Sequence, residues 1–407
     1  MNPTVAFLTM VALAAAVAST AQGLPMFEEN EAFVGGLDEV NTYRIPSVVC
    51  TSKGTVLVFC EARRDSSVDG SPTHLALKRS MGNAEAWRPP VTRGRSPDGR
   101  SKARNMTWLP VQILAETDGR SAYMNPVPII DRTDGKIFLL VDVHGQYQEG
   151  RGGGVLLLES TDEGATWSKP RDLGEMVGRK TMGPGVGIQM AGGRLVAPTY
   201  DGVIYSDDHG KTWKSGGRST PRSETQVVEL VDGSLMLNVR GAPFRSVCIS
   251  ADGGDSWGEP YQDKTLTDSE LFGGCQASLL RYTRRSDGHD RDRLLFSNPA
   301  DLKGRMSMTV RMSYDEGKTW PVSKVIKKGA GAYSCLTVFP DGTIGTIYET
   351  GNTYDDGVVE YYAKLSFARF NLEWFSDGKD ELKKTVAEKD KPAATQGATK
   401  PADDKAK

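Results

Sequence analysis

The sequence predicts an all-β fold made of repeated, four-stranded antiparallel units. Three observations lead to this prediction: an eight-residue motif recurs, short apolar runs alternate with hairpin signals, and the middle of the chain lacks a long helical pattern. With 407 residues, the chain is long enough to bury a large core. Glycine is frequent, at 45 residues, as expected where many tight turns join short strands.

The recurring motif has the pattern Ser-x-Asp-x-Gly-x-Thr/Ser-Trp, which we call the box. Intact boxes occupy residues 160–167, 206–213, 250–257 and 313–320, and a decayed copy occupies residues 80–87. The first three intact copies start 46 and 44 residues apart, and the fourth starts 63 residues later, across a polar insertion. A period in the forties is typical of one four-stranded blade of a β-propeller, so we predict that fold.

The composition of the box indicates a structural role. Its aspartate can accept hydrogen bonds from nearby amides, its glycine tolerates a positive φ, and its tryptophan can tuck under the turn. Other Asp-Gly hairpin signals occur at residues 134–135, 232–233 and 341–342, each followed by apolar residues. We therefore expect the box aspartates to stabilise turns and not to take part in chemistry.

The two ends of the chain differ from its middle. An apolar run at residues 5–18, followed by small residues, resembles a signal peptide, which we predict to span residues 1–21. It implies export, so the protein would be secreted or periplasmic, and no other stretch resembles a transmembrane segment. The propeller domain is predicted at residues 22–375. Residues 376–407 are charged and of low complexity, and we expect them to be disordered.

Charge and metal-ligand residues exclude several function classes. The formal net charge of −2 argues against a nucleic-acid partner. Only four histidines and five cysteines are present, without a CxxC pattern or a His/Cys cluster, so we predict neither a metal nor another cofactor. We interpret the cysteines mostly as buried small apolar residues.

Several separated motifs resemble those of the sialidase (neuraminidase) family, in the family's order. They are Tyr-Arg-Ile-Pro at residues 43–46, Glu-Ala-Arg-Arg at 61–64, Ser-Glu-Thr-Gln at 223–226 and Ala-Tyr-Ser at 332–334. The resemblance spans most of residues 38–373. It implies a six-bladed β-propeller that acts as a monomeric exo-α-sialidase. Such an enzyme hydrolyses terminal sialic acid from glycoproteins, glycolipids or oligosaccharides through a tyrosyl-linked, retaining mechanism.

The resemblance assigns three catalytic residues. Tyr333 would be the nucleophile, Glu224 the base that takes its proton, and Asp69 the acid that protonates the leaving oxygen. Asp65 is the competitor for the last role. Because an ordinary aspartate is ionised at neutral pH, we expect Asp69 to work best at mildly acidic pH or with a raised pKa.

The resemblance also assigns the residues that bind substrate. Arg44, Arg240 and Arg305 would hold the sugar's carboxylate, with Arg311 as the alternative to the third arginine, and Glu349 would steady the first arginine. The sugar pocket would be lined by Met124, Asn125 and Gln276.

These residue types suit the chemistry of sialic acid, which carries a carboxylate on its anomeric carbon. Three arginines can hold that group through charge-assisted hydrogen bonds. A carboxylate nucleophile would be repelled by it, whereas a neutral tyrosine would not. Since an ordinary phenol has a pKa of about 10, Tyr333 needs a base such as Glu224.

Three other functions share some of these features. A catalytically silent propeller could bind sialylated glycans as a lectin, and a trans-sialidase would pass the sugar to another glycan instead of water. A third class, propellers with boxes but unrelated to glycans, lacks the arginine set. The presence of Asp69, Glu224 and Tyr333 together favours an enzyme.

Overall fold

A computed structural model describes residues 24–80, 107–145, 154–354 and 357–383. The regular secondary structure of these residues consists almost entirely of β-strands. They are β1 Phe27–Val34, β2 Thr42–Cys50, β3 Val56–Arg63, β4 Thr73–Arg79, β5 Gln112–Ala115, β6 Ser121–Ile130, β7 Ile137–Gly145, β8 Val155–Ser160, β9 Arg171–Asp172, β10 Ile188–Gln189, β11 Leu195–Thr199, β12 Gly202–Ser206, β13 Lys214–Arg218, β14 Thr225–Glu229, β15 Leu235–Val239, β16 Phe244–Ser250, β17 Tyr261–Thr267, β18 Ser278–Thr283, β19 Arg293–Pro299, β20 Met306–Ser313, β21 Val322–Val338, β22 Ile344–Thr350 and β23 Lys364–Phe370. Two short helices, α1 Gly174–Val177 and α2 Leu372–Phe375, accompany them.

The described strands pair in antiparallel groups of four. The groups are β2–β5, β6–β9, β10–β13, β14–β17, β18 to the first half of β21, and the second half of β21 with β22, β23 and β1. β1 pairs with β23, so the first strand of the chain completes the last group. The all-β propeller prediction is confirmed.

The count of six blades stays a prediction, although the described strands fall into six such groups. Two groups are joined by a parallel pair between Thr73 and Ala122, and β21 runs through the last two. These links merge four of the groups into two larger sheets.

All four intact boxes connect the third and fourth strands of a group. In the second of them, the Ser206 hydroxyl accepts from the Gly210 amide at 2.9 Å. The Asp208 carboxylate accepts from the amide and the hydroxyl of Thr212, at 2.9 and 2.6 Å. The other three boxes repeat these bonds. The box is thus a local hydrogen-bonded turn, as its composition predicts.

The box glycines also pack against the preceding group of strands, which the sequence did not indicate. A Cβ at Gly210 would lie 2.3 Å from the Phe138 ring, and one at Gly164 would lie 2.0 Å from Leu57. Gly254 and Gly317 meet side chains of the preceding group in the same way. Each box glycine is therefore required both for its positive φ and for close contact between neighbouring groups.

Residues 376–383, which we assigned to the disordered tail, are folded onto the propeller, so the prediction is wrong for these eight residues. Asp380 is buried and accepts from Arg293 at 2.9 Å and from the Tyr314 hydroxyl at 2.8 Å. A composition average misses such a segment because a few specific contacts hold it in place, namely the Asp380 ion pair and the packing of Leu382 against the core. The remainder of the tail, the predicted signal peptide and most of the decayed box lie outside the described residues.

No helix within the described ranges is long and apolar enough to cross a membrane. All five cysteines are described, and none forms a disulfide. Four of the five are buried, as expected for small apolar residues.

Candidate active site

The site predicted from the sequence lies at the end of the sheets opposite the boxes. Three strands that reach this end, β2, β6 and β21, each carry a β-bulge there. In β21, Ala332 and Tyr333 together oppose the single residue Glu349. In β2 the bulge contains Ile45, whose φ of 54° is strained for a β-branched residue. Bulges re-aim side chains, so they explain how these strands present Tyr333 and Arg44.

Tyr333 and Glu224 are in direct contact and almost fully buried. The Tyr333 hydroxyl donates a hydrogen bond to Glu224 Oε1, although the two residues lie 109 positions apart. Burial, followed by the charge of Glu224, raises the pKa of Tyr333 well above its ordinary value. The phenol is therefore neutral at rest. The Glu224 carboxylate, which it contacts, can accept its proton.

The β14–β15 hairpin explains why Arg240 joins this pair. Glu224 immediately precedes β14 and Arg240 immediately follows β15, and the Arg240 amide donates to the Glu224 carbonyl at 2.8 Å. Arg240 Nη1 lies 2.8 Å from Glu224 Oε2 and 3.1 Å from the Tyr333 hydroxyl. One hairpin thus delivers both a base and a cation to the phenol.

Glu349 fixes Arg44 and the backbone around it. Arg44 donates from Nε and Nη2 to the two oxygens of Glu349, at 3.0 and 3.2 Å. The same carboxylate accepts from the amides of Ile45, at 2.8 Å, and Tyr333, at 3.2 Å. Burial works against the charge of Arg44, but Glu349 outweighs it and raises the pKa of the guanidinium. The geometry agrees with the predicted role of Glu349 in steadying the first arginine.

Arg305 completes a set of three arginines around Tyr333. Its guanidinium carbon lies 5.4 Å from the centre of the Tyr333 ring, and that of Arg44 lies 5.2 Å away. Arg305 donates to the Tyr362 hydroxyl at 3.0 Å, and its buried Nε has no partner among the described residues. Arg311, the alternative, bonds Asn298 at 2.8 Å. Three convergent guanidiniums form a site for one carboxylate.

Asp69 is exposed, with 75% of its side chain accessible, and lies at the rim of the arginine set. Its carboxylate is 2.7 Å from Arg63 Nη1 and 3.3 Å from Arg44 Nη1. Partial burial works to raise the pKa of Asp69, but Arg63 and Arg44 outweigh it and lower the pKa. The expectation of a raised Asp69 pKa, one of the two conditions we named, is therefore wrong. Asp65 is also exposed, and no described contact links it to either arginine.

Two of the three predicted sugar-pocket residues are buried, and the third is half-buried. Asn125 is buried, and its side-chain nitrogen donates to Asp142 at 3.4 Å. Gln276 is also buried, and its amide donates to the Pro184 carbonyl and accepts from the Ser334 amide, both at 3.0 Å. Met124 is half-buried next to the bulge of β6. Gln276 thus holds the backbone beside Tyr333 by contacts with main-chain groups.

Three residues of the site were not assigned from the sequence. Arg63 is buried, bonds Glu61 at 3.0 and 2.6 Å and reaches Asp69. The ring of Tyr362 lies 3.7 Å from the Arg44 guanidinium, and the Tyr200 hydroxyl donates to Glu224 at 3.3 Å. Arg63 belongs to the Glu-Ala-Arg-Arg motif, which could have indicated it.

The described residues hold no group of three or more His, Cys, Asp or Glu side chains suited to a metal ion. The charges of the site are instead arranged as arginines paired with Glu224, Glu349 and Asp69.

Comparisons with known proteins agree with this geometry. A family model described as a BNR repeat-like domain matches residues 98–346, more than half of the chain. A sialidase of Micromonospora viridifaciens is 33% identical over 91% of this chain and 60% of its own length. A sialidase of Bacteroides fragilis is 32% identical over 77% of this chain and 61% of its own length. The chain thus spans about three-fifths of these two relatives.

Solved structures show the same architecture. The Hadza microbial sialidase Hz136 superimposes with a TM-score of 0.68 and 27% identity, covering 85% of this chain and 69% of that one. The family model covers more than half of the chain, and the two relatives are more than 30% identical over most of it. The chain therefore belongs to the sialidase family.

Proposed function

We propose that this chain is an exo-α-sialidase, a glycoside hydrolase that removes terminal sialic acid from glycoproteins, glycolipids or oligosaccharides. The observation that carries the proposal is the Tyr333–Glu224 hydrogen bond inside a set of three arginines. The names of the two relatives described above support the same reaction class.

Substrate binding would begin with the sugar's carboxylate. Arg44, Arg240 and Arg305 supply charge-assisted donors, and Glu349 and Glu224 keep two of them oriented in the empty site. Because the carboxylate sits on the anomeric carbon, this contact brings that carbon to the Tyr333 hydroxyl. Such positioning is a large part of what an active site contributes to rate.

The first displacement forms the bond to the enzyme. Tyr333 Oη attacks the anomeric carbon while its proton passes to Glu224 Oε1. The bond between the anomeric carbon and the leaving oxygen breaks, and that oxygen takes the proton of Asp69. Arg240, which touches both the phenol and Glu224, stabilises the negative charge as it moves between them.

The second displacement releases the sugar. The Asp69 carboxylate takes a proton from water, whose oxygen attacks the anomeric carbon as the bond to Tyr333 breaks. Glu224 then returns the proton to the phenolate. Two inversions give net retention, so the first product would be the α-anomer.

The first step requires a protonated Asp69, although Arg63 and Arg44 lower its pKa in the empty site. A bound substrate carboxylate neutralises part of the Arg44 charge and therefore weakens that effect. Mildly acidic solution favours the same protonated form. We accordingly propose an acidic pH optimum.

The experiment that tests the function measures release of a fluorescent aglycone from its α-sialoside. We expect turnover by the wild type, and losses of about 100- to 10,000-fold in Tyr333→Phe and Asp69→Ala. Tyr282→Phe is the matched control, because Tyr282 is buried and donates to the Gly342 carbonyl at 2.7 Å, at the opposite end of the sheet. The control should retain wild-type turnover.

Other outcomes would indicate other functions. A folded wild type that binds sialosides without turnover between pH 4 and 8 would be a lectin. Transfer of the sugar to added lactose, in place of hydrolysis, would identify a trans-sialidase. Detection of the β-anomer as the first product by NMR would contradict retention.

We also propose that the protein is exported, because the apolar run at residues 5–18 has the composition of a signal peptide. Expression with and without residues 1–21, followed by fractionation, tests this. Export of both forms, or of neither, would contradict the proposal.

A further inference from the structure

We propose that the buried ion pair between Asp268 and Arg245 is a positioning device for the carboxylate-binding arginines. It acts through the connecting loop, residues 269–275, which runs between β17 and β18. The inference rests on the proposed function, since it concerns how Arg240 and Arg305 are held for a substrate carboxylate. Neither Asp268 nor Arg245 reaches the site itself.

Three successive carbonyls of the connecting loop hold the two arginines. The Phe272 carbonyl accepts from Arg240 Nη2 at 2.6 Å, and the Gly273 carbonyl lies 3.5 Å from Arg240 Nε. The Gly274 carbonyl accepts from Arg305 Nη2 at 3.3 Å. A shift of this short segment would therefore move both guanidiniums together.

The loop has few hydrogen bonds of its own, and its backbone is strained. The Leu271 amide donates to the Ser269 hydroxyl at 3.1 Å, and the Gly273 amide donates to the Glu270 carbonyl at 3.3 Å. Phe272, Gly273 and Gly274 all have positive φ, at 59°, 64° and 93°. For phenylalanine such a backbone is strained, and its ring is exposed, so the strain is not offset by burial of the side chain. Contacts elsewhere must determine the shape of the loop.

Asp268 supplies those contacts at both ends of the loop. Its Oδ1 accepts from the Ser269 amide at 2.8 Å and from the Cys275 amide at 3.0 Å. Its Oδ2 accepts from Arg245 Nη1 at 2.7 Å. One buried carboxylate thus joins the first and last residues of the loop and fixes both against β16.

Arg245 is equally well held. Its Nε donates to the Asn238 side chain at 2.8 Å, and its Nη1 also donates to the Cys275 carbonyl. Both members of the pair are almost fully buried. A buried ion pair adds little net stability over apolar packing, whereas it imposes one geometry on the groups around it. The desolvation cost of burying the pair is understandable where two arginines must stay aligned.

Two variants perturb the device without touching Arg240 or Arg305. Asp268→Asn removes the charge opposite Arg245. Gly274→Ala keeps both charges of the pair but strains the loop, because φ is 93° at this position and the new Cβ would lie 2.9 Å from the Gly241 carbonyl and 3.1 Å from Asp268 Oδ2. Asp380→Asn is the matched control, since Asp380 is buried against Arg293 in the segment that follows α2.

The measurement compares binding of 2-deoxy-2,3-didehydro-N-acetylneuraminic acid with binding of its methyl ester to the full chain. The ester lacks the charge that the arginines recognise, so the ratio of the two affinities reports their alignment. We expect the wild type to prefer the acid, and the ratio to fall about tenfold or more in Asp268→Asn and Gly274→Ala. The ratio should be unchanged in Asp380→Asn, even though its melting temperature falls.

Three results would overturn the inference. An unchanged ratio in the folded loop variants would show that the loop does not orient the arginines, while the proposed function would stand. An equal loss in Asp380→Asn would show general destabilisation. A wild type without preference for the acid would contradict the proposed function, and the inference with it. If Asp268→Asn does not fold, Gly274→Ala alone decides.

Discussion

The box end and the active-site end of the same strands are built in opposite ways. In the box at residues 206–213, the serine and aspartate bonds join residues two to four positions apart. At the other end, Arg44 bonds Glu349 across 305 positions, and Tyr333 bonds Glu224 across 109. One end is a repeated local turn, and the other is assembled only when distant strands meet. Local turns can be recognised as sequence patterns, whereas contacts between distant residues cannot.

The difference also concerns charge. The box aspartates are partly exposed and satisfied by amides and hydroxyls of their own turn. Two carboxylates of the site, Glu224 and Glu349, are buried beside arginines, so the loss of either partner leaves an uncompensated charge. Substitutions should therefore have much larger consequences at the site than at the boxes.

The strongest test of this difference is Glu349→Gln. The change leaves Arg44 buried without its counterion, and we expect the free energy of unfolding to fall by about 3–5 kcal/mol. Activity should fall as well, because glutamine offers only one acceptor oxygen to the amides of Ile45 and Tyr333, which bond different oxygens of Glu349. Chemical denaturation and sialoside hydrolysis measure the two effects.

Glu229→Gln is the control for that prediction. Glu229 is a buried carboxylate paired with Arg284 at 2.6 Å. It is the last residue of β14, so it lies at the box end of the strand that Glu224 immediately precedes. The Glu229→Gln variant should be less stable than the wild type. Its folded fraction should keep the wild-type turnover number. Equal turnover in both variants would contradict a special role for Glu349.

A second test uses the pH dependence of turnover. Burial favours the protonated form of Asp69, but Arg63 and Arg44 outweigh it and lower its pKa. The protonated acid therefore becomes rarer as pH rises, and we expect kcat/KM to fall by up to about tenfold per pH unit on the alkaline side. A pH–rate profile measures this. Activity that rises steadily above pH 8 would contradict Asp69 as the acid.

A third test asks whether the boxes are local turns or contacts between groups of strands. Gly210→Ala places an alanine at a positive φ and brings its Cβ to 2.3 Å from Phe138. Gly233→Ala also places an alanine at a positive φ, but no atom lies within 4 Å of its Cβ. We expect losses of about 2–4 kcal/mol for the former and about 1 kcal/mol for the latter. Equal losses by thermal unfolding would show that packing against Phe138 is unimportant.

The smallest effect should come from the box aspartate itself. Asp208→Ala removes three hydrogen bonds from a partly exposed turn, and we expect a loss of about 1 kcal/mol with unchanged turnover. Partial burial works to raise the pKa of Asp208, but Thr212 and Ser206 outweigh it and lower the pKa to about 2.

The sign of the pH effect follows from that shift. The pKa of Asp208 in the folded protein lies below its value of about 3.9 in the unfolded chain. The stabilisation of the folded protein by the ionised Asp208 is therefore complete above the unfolded pKa, and it is lost as pH falls through the folded pKa. The difference in stability between wild type and Asp208→Ala should therefore shrink between about pH 4 and pH 2. A difference that grows in this range would contradict the role of the ionised carboxylate.

Much of the site could be anticipated because several of its residues sit in recognisable motifs. The structure brings together six residues that the motifs predicted, namely Arg44, Glu224, Arg240, Arg305, Tyr333 and Glu349. Asp69 was also assigned, but the direction of its pKa shift depends on Arg63, which was not considered as its partner. A pKa is a property of surroundings, which no single motif contains.

Other parts of the site had no signal at all. Tyr362 and the loop at residues 269–275 carry no repeat or charge pattern, yet they hold two of the three arginines. Gln276 was expected to contact sugar, and its amide instead bonds main-chain groups on both sides. Such contacts arise from loops of different sheets, so only the folded chain defines them.

The sequence by itself determined the all-β propeller and the position of its turns, because each box stabilises its own hairpin within eight residues. The resemblance of its motifs also predicted which side chains are reactive. The tertiary structure alone decided how those side chains pair, which carboxylates are buried, and which glycines face a neighbouring group of strands. The physical reason is that turn propensity is a property of adjacent residues, whereas burial and electrostatics depend on what folding brings into contact.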